Sequence, residues 1–328
     1  MAYNVYGLGN ALLDIEFKVT PDLLQNLGID KGVMTLIEAD RQQQLINDLK
    51  EYMGNKSGGG SAANTMFAIS QFGGKCFYSC KVANDEMGQS YLQDLVDCGI
   101  NTNLEHHEPE PGITGQCLVF VTPDADRTMN THLGISAQFS EKELVPEAIK
   151  ESEYTYIEGY LVTDPSSKAA AVKAREIAQQ AGKKVALSLS DLNMAKFFKP
   201  GFLEIIGNGI DLIFANESEA LTMAETEDLA KACDYLKTLS KGFVITRGPK
   251  GSLVYDGENL IEVEPHAVKA VDTVGAGDMF AGAFLYGITN GMSCANAGKL
   301  ASAASARLVT SYGPRLEPQE AKEVLAQV

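Results

Sequence analysis

From residue 154 onward, short apolar segments alternate with helical patterns, and this alternation limits the folds that the chain can adopt. The sequence predicts strands at 154–161, 184–189 and 212–215, and helices at 166–181 and 195–206. Strands separated by helices form a parallel sheet with helices on both faces. Ligands of such sheets bind at the carboxyl ends of the strands. The polar residues predicted at those ends are Glu158, Tyr160, Ser190, Asp191 and Asn193.

The run Asp272-Thr-Val-Gly-Ala-Gly-Asp278 lies between a strand and turn predicted at 261–271 and a small-residue helix predicted at 279–289. Gly275, Ala276 and Gly277 allow the backbone to approach a ligand closely, and the free N–H groups of the following helix favour phosphate or a developing oxyanion. Asp278 is therefore a candidate general base for a hydroxyl that attacks a phosphoryl group. The alternative is that Asp278 only caps the helix.

Two further polar runs follow predicted strands near the N-terminus. Asn10 and Asp14 come after the first strand, and Gly59, Gly60, Ser61 and Asn64 precede an alanine-rich helix for which Ser61 is the predicted N-cap. Gly7-Leu-Gly9 also fits the start of a dinucleotide-binding motif, but the third glycine and the helix of that motif are missing.

A hairpin predicted from strands at 115–122 and 128–133 interrupts the alternation of strands and helices. Together with residues 15–37 it is expected to form a small β-sheet that acts as a lid and excludes water. The predicted division is a lid of residues 15–37 and 113–135, and a large domain of residues 1–14, 38–112 and 136–328. Arg127 on the lid is either a solvated hairpin residue or a functional cation.

In their order along the chain, these motifs resemble those of the ribokinase/PfkB family of sugar and nucleoside kinases. The resemblance implies a ribokinase-like three-layer α/β sandwich, with a mostly parallel central sheet and a small β-sheet lid. It also implies direct phosphoryl transfer from ATP and Mg²⁺ to a hydroxyl. Asp278 would be the base, the N–H groups of residues 275–277 would hold the γ-phosphoryl group, and Arg127 would neutralise its charge.

The resemblance assigns further residues to three sets of contacts. Substrate hydroxyls would contact Asn10, Asp14, Gly59, Gly60, Ser61 and Asn64. Asn216 and Glu219 form an N-x-x-E motif, which would order the nucleotide phosphates and, through water, Mg²⁺. The alternative is that the same spacing only caps a helix. The remaining predicted contacts to the nucleotide are Thr246, Arg247, Gly248, Gly251 and Gly277, and matching positions alone suggest a K⁺ site at Asp272.

Several runs are more similar to the adenosine kinases of this family than to its ribokinases or fructokinases, among them Gly159-Tyr160-Leu161 and Leu189-Ser190-Asp191. The predicted acceptor is the 5′-hydroxyl of a purine nucleoside, adenosine first. Its base would need an apolar slot, for which the candidates are Tyr160, Leu133, Ile135 and Leu36. The alternatives are a sugar kinase and a non-catalytic nucleoside-binding protein, although the latter would be expected to have lost Asp278 or the glycines.

Composition excludes other classes of partner. A net charge of -16 argues against nucleic acid and anionic membranes, since both are bound through clusters of Lys and Arg.

With no leader pattern and no run of 18 apolar residues, a cytoplasmic location is expected. Six scattered cysteines predict reduced thiols and no zinc site. Both a monomer and a homodimer remain compatible with the sequence.

Overall fold

The computed structural model describes residues 2–106, 108–124 and 127–327. Its strands are, in chain order, β1 (Tyr3–Leu8), β2 (Leu12–Lys18), β3 (Met34–Leu36), β4 (Met53–Gly59), β5 (Cys76–Ser79), β6 (Asn101–Thr102), β7 (Gly115–Val121), β8 (Arg127–His132), β9 (Ser152–Ile157), β10 (Lys184–Ser188), β11 (Ile210–Asn216), β12 (Ser240–Thr246), β13 (Ser252–Tyr255) and β14 (Leu260–Val263). Its helices are α1 (Pro21–Asn26), α2 (Ala39–Asp48), α3 (Ser61–Gln71), α4 (Glu86–Asp97), α5 (Pro146–Glu151), α6 (Pro165–Gln180), α7 (Leu192–Phe197), α8 (Lys199–Ile206), α9 (Glu217–Met223), α10 (Leu229–Leu239), α11 (Ala276–Thr289), α12 (Cys294–Leu308) and α13 (Pro318–Leu325).

The central sheet has the strand order β14-β13-β12-β11-β10-β9-β1-β5-β6. From β12 to β6 all neighbours are parallel, whereas β13 and β14 add an antiparallel edge. The predicted mostly parallel sheet is confirmed. Because the parallel strands point the same way, their carboxyl ends meet at one edge, where the residues that follow them form a common surface.

Helices cover both faces of this sheet, which confirms the predicted three-layer sandwich. Successive side chains of a strand point to opposite faces, so in β1 Val5 packs into one core while Tyr6 and Leu8 pack into the other. The first core contains buried residues of α3, α4, α11, α12 and α13. The second contains those of α5 to α10.

The small sheet has the order β3-β8-β7-β2-β4 and lies across the carboxyl ends of the central strands. One face packs against α1 and α2 through a separate core that includes Phe17, Leu24, Leu45 and Phe120. The sheet takes in more of the chain than the predicted lid ranges, because residues 12–14 belong to β2 and β4 pairs with β2. Residues 125 and 126 of the predicted lid lie outside the described residues.

Local structure differs from the predicted elements in three places. The helix predicted at 195–206 is two helices, because Pro200 has no N–H to donate to the preceding turn and its ring would clash with the carbonyl four residues earlier. The strand predicted at 154–161 ends at Ile157, and Gly159–Thr163 forms a 3₁₀ turn that carries Tyr160. Ser61 is not the N-cap of α3: Gly60 occupies that position with a φ of 99°, and Ser61 is the first helical residue.

Gly7, near the end of β1, and Gly9, just after it, serve close packing. A Cβ at Gly9 would lie 2.4 Å from Oε2 of Glu158, and a Cβ at Gly7 would lie 2.8 Å from Sδ of Met66. A steric requirement inside the protein therefore explains the Gly-x-Gly pattern without a dinucleotide. Among the helices of the described residues, none has the length and apolar character needed to cross a membrane.

Candidate functional site

A cavity of about 530 Å³ lies between the carboxyl ends of the central strands and the inner face of the small sheet. Its lining combines the ends of β1, β9, β10, β11 and β12, the start of α3, the loop before α11, and β2, β3 and β8. Of the predicted site residues, those that line it are Asn10, Asp14, Gly60, Ser61, Asn64, Arg127, Tyr160, Asn216, Glu219, Thr246, Gly275, Ala276, Gly277 and Asp278. A smaller cavity of about 320 Å³ shares Asn216 and Thr246 with it.

The two glycines before and in the first turn of α11 are present for different reasons. Gly275 is the N-cap and has a φ of 73°, and a Cβ there would lie 2.7 Å from Cβ of Pro314. Gly277 is a helical residue, and a Cβ there would meet no atom of the described residues within 4 Å. Alanine would suit that helical position better than glycine. No described residue around Gly277 requires a glycine there, so its missing side chain leaves space for a ligand at the helix N-terminus.

Asp278 is the third residue of α11 and makes no capping contact with the helix. Instead its carboxylate accepts hydrogen bonds from α3: Oγ of Ser61 donates to Oδ1 at 2.6 Å, and Nδ2 of Asn64 donates to Oδ2 at 3.3 Å. Burial raises the pKa of Asp278 to about 6, and these two donors oppose that rise. The carboxylate is therefore ionised near neutral pH and faces the cavity, as a general base must.

Asp14 presents a second carboxylate to the cavity, and no described residue donates a hydrogen bond to it. Gly59 makes room for it, because a Cβ at Gly59 would lie 2.4 Å from Oδ2 of Asp14. Burial raises the pKa of Asp14 to about 7, against the opposing charges of Arg315 and Arg127. Because no described residue donates to it, the ionised form of Asp14 can accept hydrogen bonds from a ligand in the cavity. Gly59 itself does not line the cavity.

Asn64 carries an unpartnered polar atom at the same end of the cavity. The residue is 5% exposed, and its Oδ1 has no hydrogen-bond partner among the described residues. Buried polar atoms normally have partners, so an unpaired acceptor in a cavity wall indicates a ligand donor such as a hydroxyl. Asn64 can accept from that donor while its Nδ2 contacts Asp278.

Glu158 was predicted only as a polar residue at a strand end, yet it organises this end of the site. It is 1% exposed, its Oε1 accepts from the backbone N–H and Nδ2 of Asn10, and its Oε2 accepts from the N–H of Ala62. Burial raises its pKa to about 7. Glu158 thereby fixes both Asn10 and the first turn of α3. A charged residue directly after an apolar strand was the available sequence signal.

Asn216 and Glu219 form the predicted capping box at the start of α9. The carboxylate of Glu219 accepts from the N–H and Nδ2 of Asn216, and Oδ1 of Asn216 accepts from the N–H of Glu219. Burial raises the pKa of Glu219 to about 7. Each oxygen of Glu219 keeps a lone pair, so this donor set fits a hydrated divalent cation held through water.

The turn between β12 and β13 lines the smaller cavity. Arg247 contacts Glu217 at 3.3 Å and Lys250 contacts it at 3.6 Å, so one carboxylate faces two cations. Gly248 lies between the cations, whereas Gly251 lines neither cavity. A Cβ at Gly251 would lie 2.1 Å from the carbonyl of Val263, so this glycine serves the turn.

Arg127 connects the small sheet to the loop before α11. Its guanidinium forms ion pairs with Asp272 and, at 3.4 Å, with Glu16. The carboxylate of Asp272 also accepts from the N–H groups of Val274 at 3.0 Å and Gly313 at 2.7 Å. Asp272 is 2% exposed and does not line the cavity. These contacts give Asp272 a role in shaping the loop, and the K⁺ site remains a prediction.

The inner face of the small sheet gives the cavity an apolar wall. This wall consists of Leu12, Met34, Leu36, Met129 and Leu133. Tyr160 lines the cavity from the central sheet, as expected, but Ile135 does not, because it is 3% exposed and packs beside Gly112. Pattern alone could not find Met34 or Met129, since apolar residues of a small sheet point to either face.

Comparison with known proteins identifies related kinases over the whole chain. Residues 26–321 match the pfkB family of carbohydrate kinases. The solved structure of adenosine kinase from Sinorhizobium meliloti has a TM-score of 0.92 at 33% identity, covering 100% of both chains. The solved structure of a probable sugar kinase from Rhizobium etli has a TM-score of 0.91 at 31% identity, covering 100% of this chain and 99% of the other. Adenosine kinase of Dictyostelium discoideum is 27% identical over an alignment of 337 positions, which covers 96% of each chain.

Proposed function

Because the chain belongs to the pfkB family of carbohydrate kinases, we propose that it transfers the γ-phosphoryl group of ATP to the 5′-hydroxyl of a purine nucleoside, with adenosine as the first candidate. The observation that carries the proposal is the position of Asp278. Its carboxylate is held by α3 at the N-terminus of α11, next to the open space at Gly277. A proton acceptor and an anion-binding helix terminus thus face the same cavity.

The nucleoside acceptor is supported by the different chemistry of the cavity walls. Among the described residues, no donor pairs with Oδ1 of Asn64 or with the carboxylate of Asp14, and vicinal ribose hydroxyls could satisfy both. The apolar wall of the small sheet suits a flat base, whereas it would leave the hydroxyls of a free sugar without hydrogen bonds. The similarity to adenosine kinases from two organisms favours the same acceptor.

In the proposed reaction, Asp278 takes the proton of the acceptor hydroxyl as that oxygen bonds to phosphorus and the bond to the leaving phosphate breaks. The N–H groups of Gly275 and Gly277 and the guanidinium of Arg127 would hold the transferring group, so catalysis is mostly positioning and charge neutralisation. The N–H of Ala276, which was predicted to share this role, donates instead to the carbonyl of Thr273 at 3.2 Å. Mg²⁺, when bound, neutralises phosphate charge, and Glu219 would hold it through water. Arg247, Gly248 and Lys250 would contact the nucleotide from the smaller cavity.

A sugar is the second candidate acceptor, favoured by the similarity to a probable sugar kinase. A coupled ADP-release assay with MgATP would compare adenosine, inosine, guanosine, ribose and fructose. Turnover with a nucleoside and none with free sugars is the expected result. Turnover with a sugar alone would retain the reaction and overturn the acceptor. Calorimetric binding of adenosine without any turnover would favour the non-catalytic alternative.

A further inference from the structure

We propose that Ser61 is a positioning residue for Asp278: its hydroxyl holds Oδ1, keeps the carboxylate negatively charged and leaves Oδ2 to receive the proton. The proposal rests on the proposed function, in which Asp278 is the general base. Ser61 had been predicted to bind substrate and to cap α3, but in the structure it donates to Asp278.

The two carboxylate oxygens of Asp278 are held unequally. The contact from Ser61 to Oδ1 is 2.6 Å, the length of a strong charge-assisted hydrogen bond. The contact from Asn64 to Oδ2 is 3.3 Å, close to the limit for a hydrogen bond. Oδ2 is therefore the oxygen whose lone pairs are more available to an attacking hydroxyl.

Close packing of two helices sets the position of Ser61. Gly282 lies one turn after Asp278 on α11, and Thr65 lies one turn after Ser61 on α3. A Cβ at Gly282 would lie 2.7 Å from the carbonyl oxygen of Thr65 and 2.5 Å from Cβ of Ala68. The missing side chain allows the helices to approach, so two rigid elements hold the hydroxyl against the carboxylate.

Titratable groups from several other elements lie around Asp278. Asp14 from β2, Glu158 from the end of β9 and Glu219 from α9 each have a pKa that the charge of Asp278 helps to raise. Tyr156 and Tyr160 also face it from the central sheet, and Arg127 and Arg315 act on Asp14 beside it. Burial disfavours the charged form of Asp278, whereas the hydrogen bonds from Ser61 and Asn64 lower its pKa.

The direct test is to titrate the Asp278 carboxyl group by NMR. The protein is labelled with ¹³C at the aspartate side-chain carboxyl carbon, and the signal that disappears in the Asp278→Asn variant is assigned to Asp278. The pKa is expected near 6 in the unaltered protein and at about 7–8 in Ser61→Ala, since charge-assisted hydrogen bonds of this kind shift a pKa by about 1–2 units. Ser61→Thr, which keeps a hydroxyl, should restore the lower value.

Ser70→Ala is the matched control, because it removes a serine hydroxyl from the same helix that donates to the carbonyl of Cys98 instead. It should leave the titration of Asp278 unchanged. An unchanged midpoint in Ser61→Ala would overturn the proposal, as would an equal shift in Ser70→Ala. Because this titration needs no turnover, it stands even if the proposed function fails.

The kinetic test is the pH profile of kcat/KM with adenosine and MgATP. Ser61→Ala should lower kcat/KM about tenfold at pH 6 and less than about twofold at pH 9, where the carboxylate is ionised in both proteins. An equal loss at every pH would mean that Ser61 only shapes the site, and would overturn the charge-keeping role. Absence of turnover in the unaltered protein, with the NMR shift present, would refute the proposed function and not this inference.

Discussion

Gly277→Ala should raise stability and lower activity. A Cβ at residue 277 meets no atom of the described residues, so alanine should gain its better helix propensity, up to about 1 kcal/mol. An unfolding entropy of about 2.1 cal/mol/K per residue gives a total unfolding entropy of about 0.7 kcal/mol/K for the 328 residues. Dividing the gain in free energy by this entropy predicts a rise in Tm of about 1 °C. The same Cβ would occupy the space assigned to phosphate, and misplacement of this kind lowers kcat by about 10²-fold.

Two further substitutions sharpen this experiment. Gly275→Ala should lower activity but also destabilise by about 2 kcal/mol or more, because it combines a left-handed φ with a contact 2.7 Å from Pro314. Gly201→Ala, in the first turn of α8 and away from the cavity, makes the same helical change outside the site, with a Cβ in ordinary contact with Lys168 and Val162, and should leave kcat unchanged. Differential scanning calorimetry and ADP release would measure both properties. Full activity of Gly277→Ala would refute the assignment of this space to a ligand.

Three other predictions follow from contacts of the same cavity. Gly282→Ala should lower Tm by about 1.5–4 °C and also lower kcat, because its Cβ forces α3 and α11 apart; an unchanged Tm would contradict the packing argument. Arg127→Met should lower kcat by about 10²–10³-fold in the ADP-release assay, and undiminished turnover would remove Arg127 from the reaction. Burial raises the pKa values of Asp14, Glu158 and Glu219 to about 7, whereas the same carboxyl groups have pKa values near about 4 in the unfolded chain. Between about pH 4 and pH 7 the folded state therefore binds more protons than the unfolded state. The Tm of the ligand-free protein should therefore fall from pH 5 to pH 8, and a rising Tm would contradict this sign.

The central architecture was predictable because its signals are local. Apolar segments alternate with helical patterns from residue 154 onward, and the rule that ligands meet the carboxyl ends of parallel strands places Glu158, Tyr160 and Asn216 at one edge. The run from Asp272 to Asp278 combines glycines with a carboxylate at a helix start. Both features follow from residues close together in sequence.

The remaining features depend on contacts between distant parts of the chain. Ser61 and Asp278 are 217 positions apart, and no local pattern indicates that a serine at a helix start donates to a carboxylate of another helix. The ion pair of Arg127 with Asp272 likewise joins the small sheet to the loop before α11, across 145 positions of the chain. The pairing of β4 with the small sheet depends on β2, because polar Lys56 and Ser57 carry little strand signal of their own.

The most direct test of the account is turnover of Asp278→Asn compared with the unaltered protein, at saturating MgATP and the best acceptor. Asparagine keeps the shape of the side chain but cannot take the proton, so kcat should fall by about 10²–10⁴-fold, with ATP affinity nearly unchanged by calorimetry. Turnover at the unaltered rate would contradict the role of Asp278 as the base, and with it the reaction proposed for this cavity.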